Sequence, residues 1–290
     1  MINVLILGAE GMLGSTCFKV FQQNPHISLS GTSRKEKKDF LYFNALFDDD
    51  LHSLPIESFD YVLNCIGMIN QNIIFGNRSS EIEAIQVNTL FPQRLARACE
   101  ENNSKLIQIA TDCVFSGKLG SYNEVSPHDP VDIYGKSKTL GEVDSRNSLN
   151  LRCSIVGKSV LKRESLLDWF LQQPKEAEIN GYANAVWNGV GTLQFAKICL
   201  GLILNNKWIP GTFHLVPGDI VTKFELLEIF RETFSRRDIK ISKVHLERRI
   251  DRTLSTLFPE VNETLWEIAG YSSPPTILKM VQEMSVANKE

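Results

Sequence analysis

The apolar run Asn3-Val4-Leu5-Ile6-Leu7 passes without a break into Gly8-Ala9-Glu10-Gly11-Met12-Leu13-Gly14, and a helical pattern follows over residues 15–23. A buried strand, a glycine-spaced turn and a helix in that register leave a chain few ways to fold. Glycines there allow a tight turn, close approach of backbone to a pyrophosphate, and close packing of helix on strand. The helix N-terminus adds free N–H groups and a partial positive charge for the same anion. The turn therefore reads as the first βαβ unit of a dinucleotide-binding sheet.

The rest of the first half agrees. Short apolar runs at 28–32, 60–66, 106–110 and 149–156 alternate with helical patterns, the signature of a parallel sheet. Residues 84–102 carry Ile85, Leu95, Ala96 and Cys99 on one helix face, with Pro92 marking a kink or a boundary. Beyond residue 157 the pattern loosens into a helix at 192–204, a strand at 211–216 and a helix at 222–234. The last has Thr222 as N-cap, Glu225 completing a capping box, and Val221 stapling to Leu226. The expected fold is α/β, a doubly wound parallel sheet of the Rossmann type with a smaller mixed α/β substrate-binding lobe. The expected division is residues 1–156 and 157–290, partly interleaved.

Composition narrows the classes. Among 290 residues, 31 Lys+Arg against 34 Asp+Glu give a net charge of −3, no field for nucleic acid or an anionic membrane. No run approaches the ~18 apolar residues of a membrane span, and residues 1–7 are too short for a secretory signal. Six cysteines lie singly with no Cys-x-x-Cys pair, and no histidine pair has ligand spacing, so neither a zinc site nor a disulfide scaffold is expected. The expectation is a cytoplasmic protein without nucleic-acid or membrane partners, and no residue is assigned to a metal.

The second strand ends in Thr32-Ser33-Arg34-Lys35, with no acid before Glu36. An acid would bind the ribose 2′-hydroxyl of NAD and a base the 2′-phosphate of NADP, so Ser33 and Arg34 favour NADP(H) over NAD(H). Thr111 ends the strand at 106–110, at the edge where open α/β sheets bind ligands. Tyr134 and Lys138 then stand four apart on one helix face. An ammonium beside a phenol favours phenolate, which would tune Tyr134 to exchange a proton with a carbonyl oxygen, while Thr111 donates a second hydrogen bond.

The G-x-x-G-x-x-G spacing, Asn64-Cys65-Ile66-Gly67, Val87-Asn88, the stretch 111–117, Tyr122-x-Glu124, Pro127, Tyr134–Lys138 with Gly141-Glu142, and Leu151-Arg152 together resemble an extended short-chain dehydrogenase/reductase, in particular the dTDP-4-dehydrorhamnose reductase-like, nucleotide-sugar 4-ketoreductase family. They span roughly the first 155 residues; Asn188–Thr192 and 211–216 add only an outline. The resemblance implies Thr111, Tyr134 and Lys138 as the catalytic triad, with Tyr134 and Lys138 also binding the cofactor. It also implies Gly8, Gly11, Met12 and Leu13 on the cofactor loop, with Asn64, Cys65, Ile66 and Gly67 lining the nicotinamide side. Met68, Asp112, Val114, Phe115 and Trp187 are the substrate-side candidates. Cys113 departs from the family's Tyr, and from the Glu of the related dehydratases, whose base it cannot replace; it is expected to pack rather than react. The implied function is NADPH-dependent reduction of the 4-keto group of a nucleotide-activated 4-keto-6-deoxy sugar, for surface polysaccharide synthesis. The alternatives are an epimerase or other dehydrogenase of the superfamily, or a non-catalytic NADP-binding regulatory subunit; a homodimer is an open expectation.

Overall fold

The computed structural model describes residues 1–48, 51–159 and 165–287. The first half runs β1 (Ile2–Leu7), α1 (Met12–Phe21), β2 (Ile27–Ser33), β3 (Leu41–Tyr42), β4 (Tyr61–Asn64), α2 (Arg78–Ile85), α3 (Phe91–Glu101), β5 (Lys105–Thr111), α4 (Ile133–Leu140), β6 (Ser148–Cys153) and β7 (Ile155–Val156). The second half runs α5 (Leu166–Leu171), β8 (Glu178–Tyr182), β9 (Ala185–Trp187), β10 (Val190–Gly191), α6 (Thr192–Leu204), β11 (Gly211–His214), β12 (Val221–Thr222), α7 (Lys223–Thr233), β13 (Lys240–Val244), β14 (Ile250–Asp251), α8 (Pro259–Ile268) and α9 (Ile277–Ala287).

Val4, Leu5, Ile6 and Leu7 are wholly buried, as a strand covered by helices on both faces must be. The main sheet has seven strands in the order β3-β2-β1-β4-β5-β6-β11, every pair parallel. Strand order reverses between β1 and β4, which opens a crevice at the carboxyl edge. The fold is thus the doubly wound α/β sheet that the glycine turn implies. Residues after 157 return to it: β11 pairs with β6, and α6 packs against α1. The remaining short strands pair as β8 with β13, β10 with β7, and β9 with β12 and β14. One apolar cluster runs from Val4 and Leu13 through Phe195 to Trp266 and Met284, joining the two halves.

Several boundaries differ from the sequence reading for identifiable reasons. The strand expected at 60–66 stops at Asn64, whose Oδ1 takes the Ile66 N–H at 3.0 Å and turns the chain out of the sheet. The run at 149–156 divides, its last two residues leaving to pair with β10. The helix expected at 84–102 begins earlier, at Arg78, and passes through a π turn over Gln86–Leu90. Pro92 lacks the N–H that would bond the carbonyl four residues back, and the wider turn absorbs that loss. The α7 capping box forms as read: Thr222 Oγ1 accepts the Glu225 N–H at 3.2 Å and Glu225 Oε2 accepts the Thr222 N–H at 2.7 Å. No helix among the described residues is long and apolar enough to cross a membrane.

Candidate active site

The glycine turn lies at the mouth of the crevice. Gly8 has φ +74, and a Cβ on Gly14 would stand 2.1 Å from the Gly8 carbonyl oxygen, so helix and turn can meet only through a glycine. α1 starts at Met12 behind Gly11 with no side-chain cap, which leaves the N–H groups of its first turn for a ligand. An uncapped helix start over a glycine floor fits a pyrophosphate. At the end of β2, the Ser33 hydroxyl donates to Glu10 Oε2 at 2.7 Å, and Lys37 pairs with Glu10 Oε1. Lys37 and Ser33 hold the Glu10 carboxyl below its usual range. Arg34 is exposed beside them.

After β4, Asn64 is buried and its amide is used up within the protein, donating to Gln108 Oε1 at 3.1 Å and accepting from Ile66. It turns the chain so that Cys65 and Ile66 run beside Gly8, where Ile66 would touch a Cβ on Gly8 at 3.0 Å, while Gly67 lies toward Asn88. Met68 is held by its backbone: its N–H donates to Asn88 Oδ1 at 2.8 Å and its carbonyl accepts from Asn88 Nδ2 at 2.9 Å. Asn88 also donates to Ser137 Oγ on α4 at 3.1 Å. The π turn thereby ties the loop after β4 to the helix that carries Tyr134.

Thr111 ends β5 and caps a tight turn over Asp112–Val114, its Oγ1 accepting the Cys113 N–H at 3.2 Å. α4 is capped by Asp132, which accepts the Gly135 N–H at 2.8 Å. A Cβ at Gly135 would lie 2.3 Å from the Cys113 carbonyl oxygen, so this glycine lets the helix sit on the turn. Tyr134, on the first turn of α4, is thereby brought to the Asp112–Val114 turn that Thr111 caps. Burial, followed by Cys113, pushes the phenol above its usual value and outweighs the hydrogen bond with Thr111. Lys138 is buried and donates to the Ile109 carbonyl at 3.1 Å; burial brings it down to about 8. The spacing predicts that Lys138 acidifies Tyr134; its ammonium donates to the Ile109 carbonyl of β5, and the phenol stands above its usual value.

Asp112, buried behind Thr111, is pushed up by burial and pulled back by Arg252 and Lys223. Lys223, the first residue of α7, lies 4.9 Å over the Trp187 ring, and burial lowers it to about 8 against the pull of Asp112. Arg252 donates from Nε to the Phe115 carbonyl at 2.9 Å. Lys223 also lines a cleft of about 260 Å³ with Leu166, Trp169, Asn180, Tyr182 and Leu227.

Three of the substrate-side candidates, Val114, Phe115 and Trp187, are buried. Val114 and Phe115 are fully buried; Phe115 stacks on Tyr122 at 4.3 Å and lies under the Arg152 guanidinium. Their side chains thus belong to a packed cluster rather than to the pocket. Trp187 is buried too, its indole N–H donating to Ser154 Oγ at 2.7 Å, with only its ring face turned to Lys223. Cys113 does have a cation near it, Arg252 Nη1 at 4.0 Å, yet burial pushes its thiol up to about 12. Arg152 anchors the far wall, with Glu142 at 2.6 Å and the Nε2 atoms of His128 and His214 at 3.0 and 2.5 Å.

Residues 2–251 match the family described as RmlD substrate binding domain. The chain belongs to the RmlD family. Among its relatives, methionine adenosyltransferase 2 subunit beta of Danio rerio is 26% identical over 252 residues, covering 80% of this chain and 74% of the relative. dTDP-4-dehydrorhamnose reductase of Mycobacterium tuberculosis H37Rv is 32% identical over 150 residues, 48% of this chain and 44% of the relative. In three dimensions the chain resembles dTDP-4-dehydrorhamnose reductase from Bacillus anthracis in complex with NADP. That comparison has TM-score 0.79 and 19% identity and covers 99% and 100% of the two chains; it speaks to the fold alone.

In this RmlD-family chain the sequence reading passes over three residues as site members: Glu10, Asn88 and Lys223. Glu10 stands inside the glycine turn and had a positional signal. Lys223 had none, since only the docking of α7 brings it to Asp112. Arg231, Arg236, Arg237 and Arg249 are paired with acids, whereas Arg252 donates to the Phe115 carbonyl beyond the end of β5.

Proposed function

We propose that the chain is an NADPH-dependent reductase of the 4-keto group of a nucleotide-activated 4-keto-6-deoxy sugar. The observation that carries this is the packing of α4, with Tyr134 in its first turn, onto the Thr111-capped turn at the carboxyl end of β5, on the same edge as the glycine turn. A bound NADPH supplies hydride to the carbonyl carbon. Thr111 and Tyr134 hydrogen-bond the carbonyl oxygen, and Tyr134 gives it the proton that completes the alcohol. A phenol held above its usual pKa is fully protonated at neutral pH, the form an acid needs. Lys138 fixes the β5 edge by donating to the Ile109 carbonyl. Gly8, Gly11, Met12 and Leu13 hold the pyrophosphate, Ser33 and Arg34 the adenosine ribose, and residues 64–67 the nicotinamide side. Met68, Asp112, Lys223 and Arg252 face the sugar nucleotide, the two cations matching its diphosphate. On this reading the enzyme works in the cytoplasm and feeds surface polysaccharide synthesis.

A second reading, a non-catalytic NADP-binding subunit, draws on the relatives that carry the name of a methionine adenosyltransferase subunit over 80% of this chain. NADPH oxidation against a panel of nucleotide-linked 4-keto-6-deoxy sugars separates the two. Turnover by one sugar, lost in Tyr134→Phe, supports the reductase; tight NADPH binding with no turnover across the panel supports the subunit.

A further inference from the structure

We propose that Glu10 is the residue that sets the choice between the two nicotinamide cofactors, holding back the 2′-phosphate of NADPH so that the site also takes NADH. This rests on the dinucleotide reading above and goes beyond it. In doubly wound sheets the adenosine ribose lies at the end of the second strand, where an acid receives the 2′-hydroxyl or a base receives the 2′-phosphate. β2 ends at Ser33 and brings no acid of its own. The structure supplies one through space: Glu10, from the glycine turn, accepts the Ser33 hydroxyl at 2.7 Å, and its other oxygen pairs with Lys37. The Ser33 Oγ in turn accepts the Lys35 N–H at 3.0 Å.

Read by sequence alone, the corner is a serine with basic neighbours, suited to a phosphate. Read in space, its serine hydroxyl is already donated and one of its lysines is already paired. A carboxylate stands where a 2′-phosphate of charge about −1.5 to −2 would arrive. Like charges a few ångströms apart at a protein surface repel by an amount worth roughly tenfold or more in affinity. A 2′-hydroxyl meets the same carboxylate as a hydrogen-bond acceptor. Glu10 is therefore a specificity residue of the ribose corner.

The test is a fluorescence titration of the full chain with NADPH and with NADH, in wild type, Glu10→Gln and Lys37→Gln. Wild type should bind both cofactors within about tenfold of each other. Glu10→Gln should raise NADPH affinity by about tenfold and leave NADH unchanged or weaker. Lys37→Gln frees the carboxylate and should weaken NADPH alone. A ratio of the two affinities that stays within twofold in both variants overturns the role of Glu10 and leaves dinucleotide binding intact. Absence of binding by either cofactor in wild type overturns both.

Discussion

The two walls of the crevice are built by different means. The wall from the first half is a matter of backbone: β1, β4 and β5 end at one edge, Gly14 can hold nothing larger than hydrogen against Gly8, and Asp132 caps the helix that delivers Tyr134. The wall from the second half rests on side chains carried by pieces as short as the two-residue β12 and β14. Asn188 clamps Leu254 with two hydrogen bonds, and Lys223 reaches Asp112 only because α7 docks across the chain. A wall set by backbone sterics tolerates almost no substitution at a few positions. A wall set by side chains can change its contacts while the fold stands, which suits it to selecting a substrate.

That contrast can be broken or sharpened by experiment. The largest effect belongs to the first wall: Tyr134→Phe should lower kcat by about 10²–10⁴-fold with cofactor affinity and melting temperature nearly unchanged. Comparable loss of cofactor binding would instead make Tyr134 a cofactor-binding residue, and a lowered melting temperature a structural one. Next is acid. Burial and then Arg152 hold His214 at about 4, against 6.5 as the ordinary value. Between those values the unfolded chain takes the proton more readily. Stability present above pH 6.5 should therefore fall as pH drops toward 4, by roughly 3 kcal/mol in all. Urea midpoints across that range should show the slope, and His214→Gln should flatten it; equal slopes would exclude His214 as the source.

Gly14→Ala comes third. In an ordinary helix the change is mildly stabilising, yet here it should cost about 1–3 kcal/mol and weaken dinucleotide binding, since a methyl 2.1 Å from the Gly8 oxygen forces the turn open. An unchanged unfolding midpoint would mean that the backbone wall yields more easily than its contacts imply. The smallest effect belongs to the second wall. Lys223→Met should raise KM for the sugar nucleotide by about tenfold, with kcat and cofactor affinity little altered, by loss of one cation at the diphosphate. A fall in kcat without a change in KM would move Lys223 from substrate binding to the reacting end.

Much of the first wall was determined by the sequence alone. Continuous apolar runs, glycine spacing and the Tyr134–Lys138 interval are local, and local sterics and hydrogen bonding act identically wherever the chain folds. The strand and helix types, their parallel order and the residues at the carboxyl edge follow from them. What the tertiary structure decided is everything that depends on distance through space. It brought Glu10 to Ser33, Asn88 to Met68 and Ser137, and Lys223 to Asp112. It sent Lys138 to the Ile109 carbonyl rather than to the phenol, and it buried Phe115 under Arg152. Charge and burial set the pKa values and the exposed surface of the site, and both depend on neighbours that lie far away in sequence. A linear pattern can name the residues at an edge; only the packed fold sets what each of them faces.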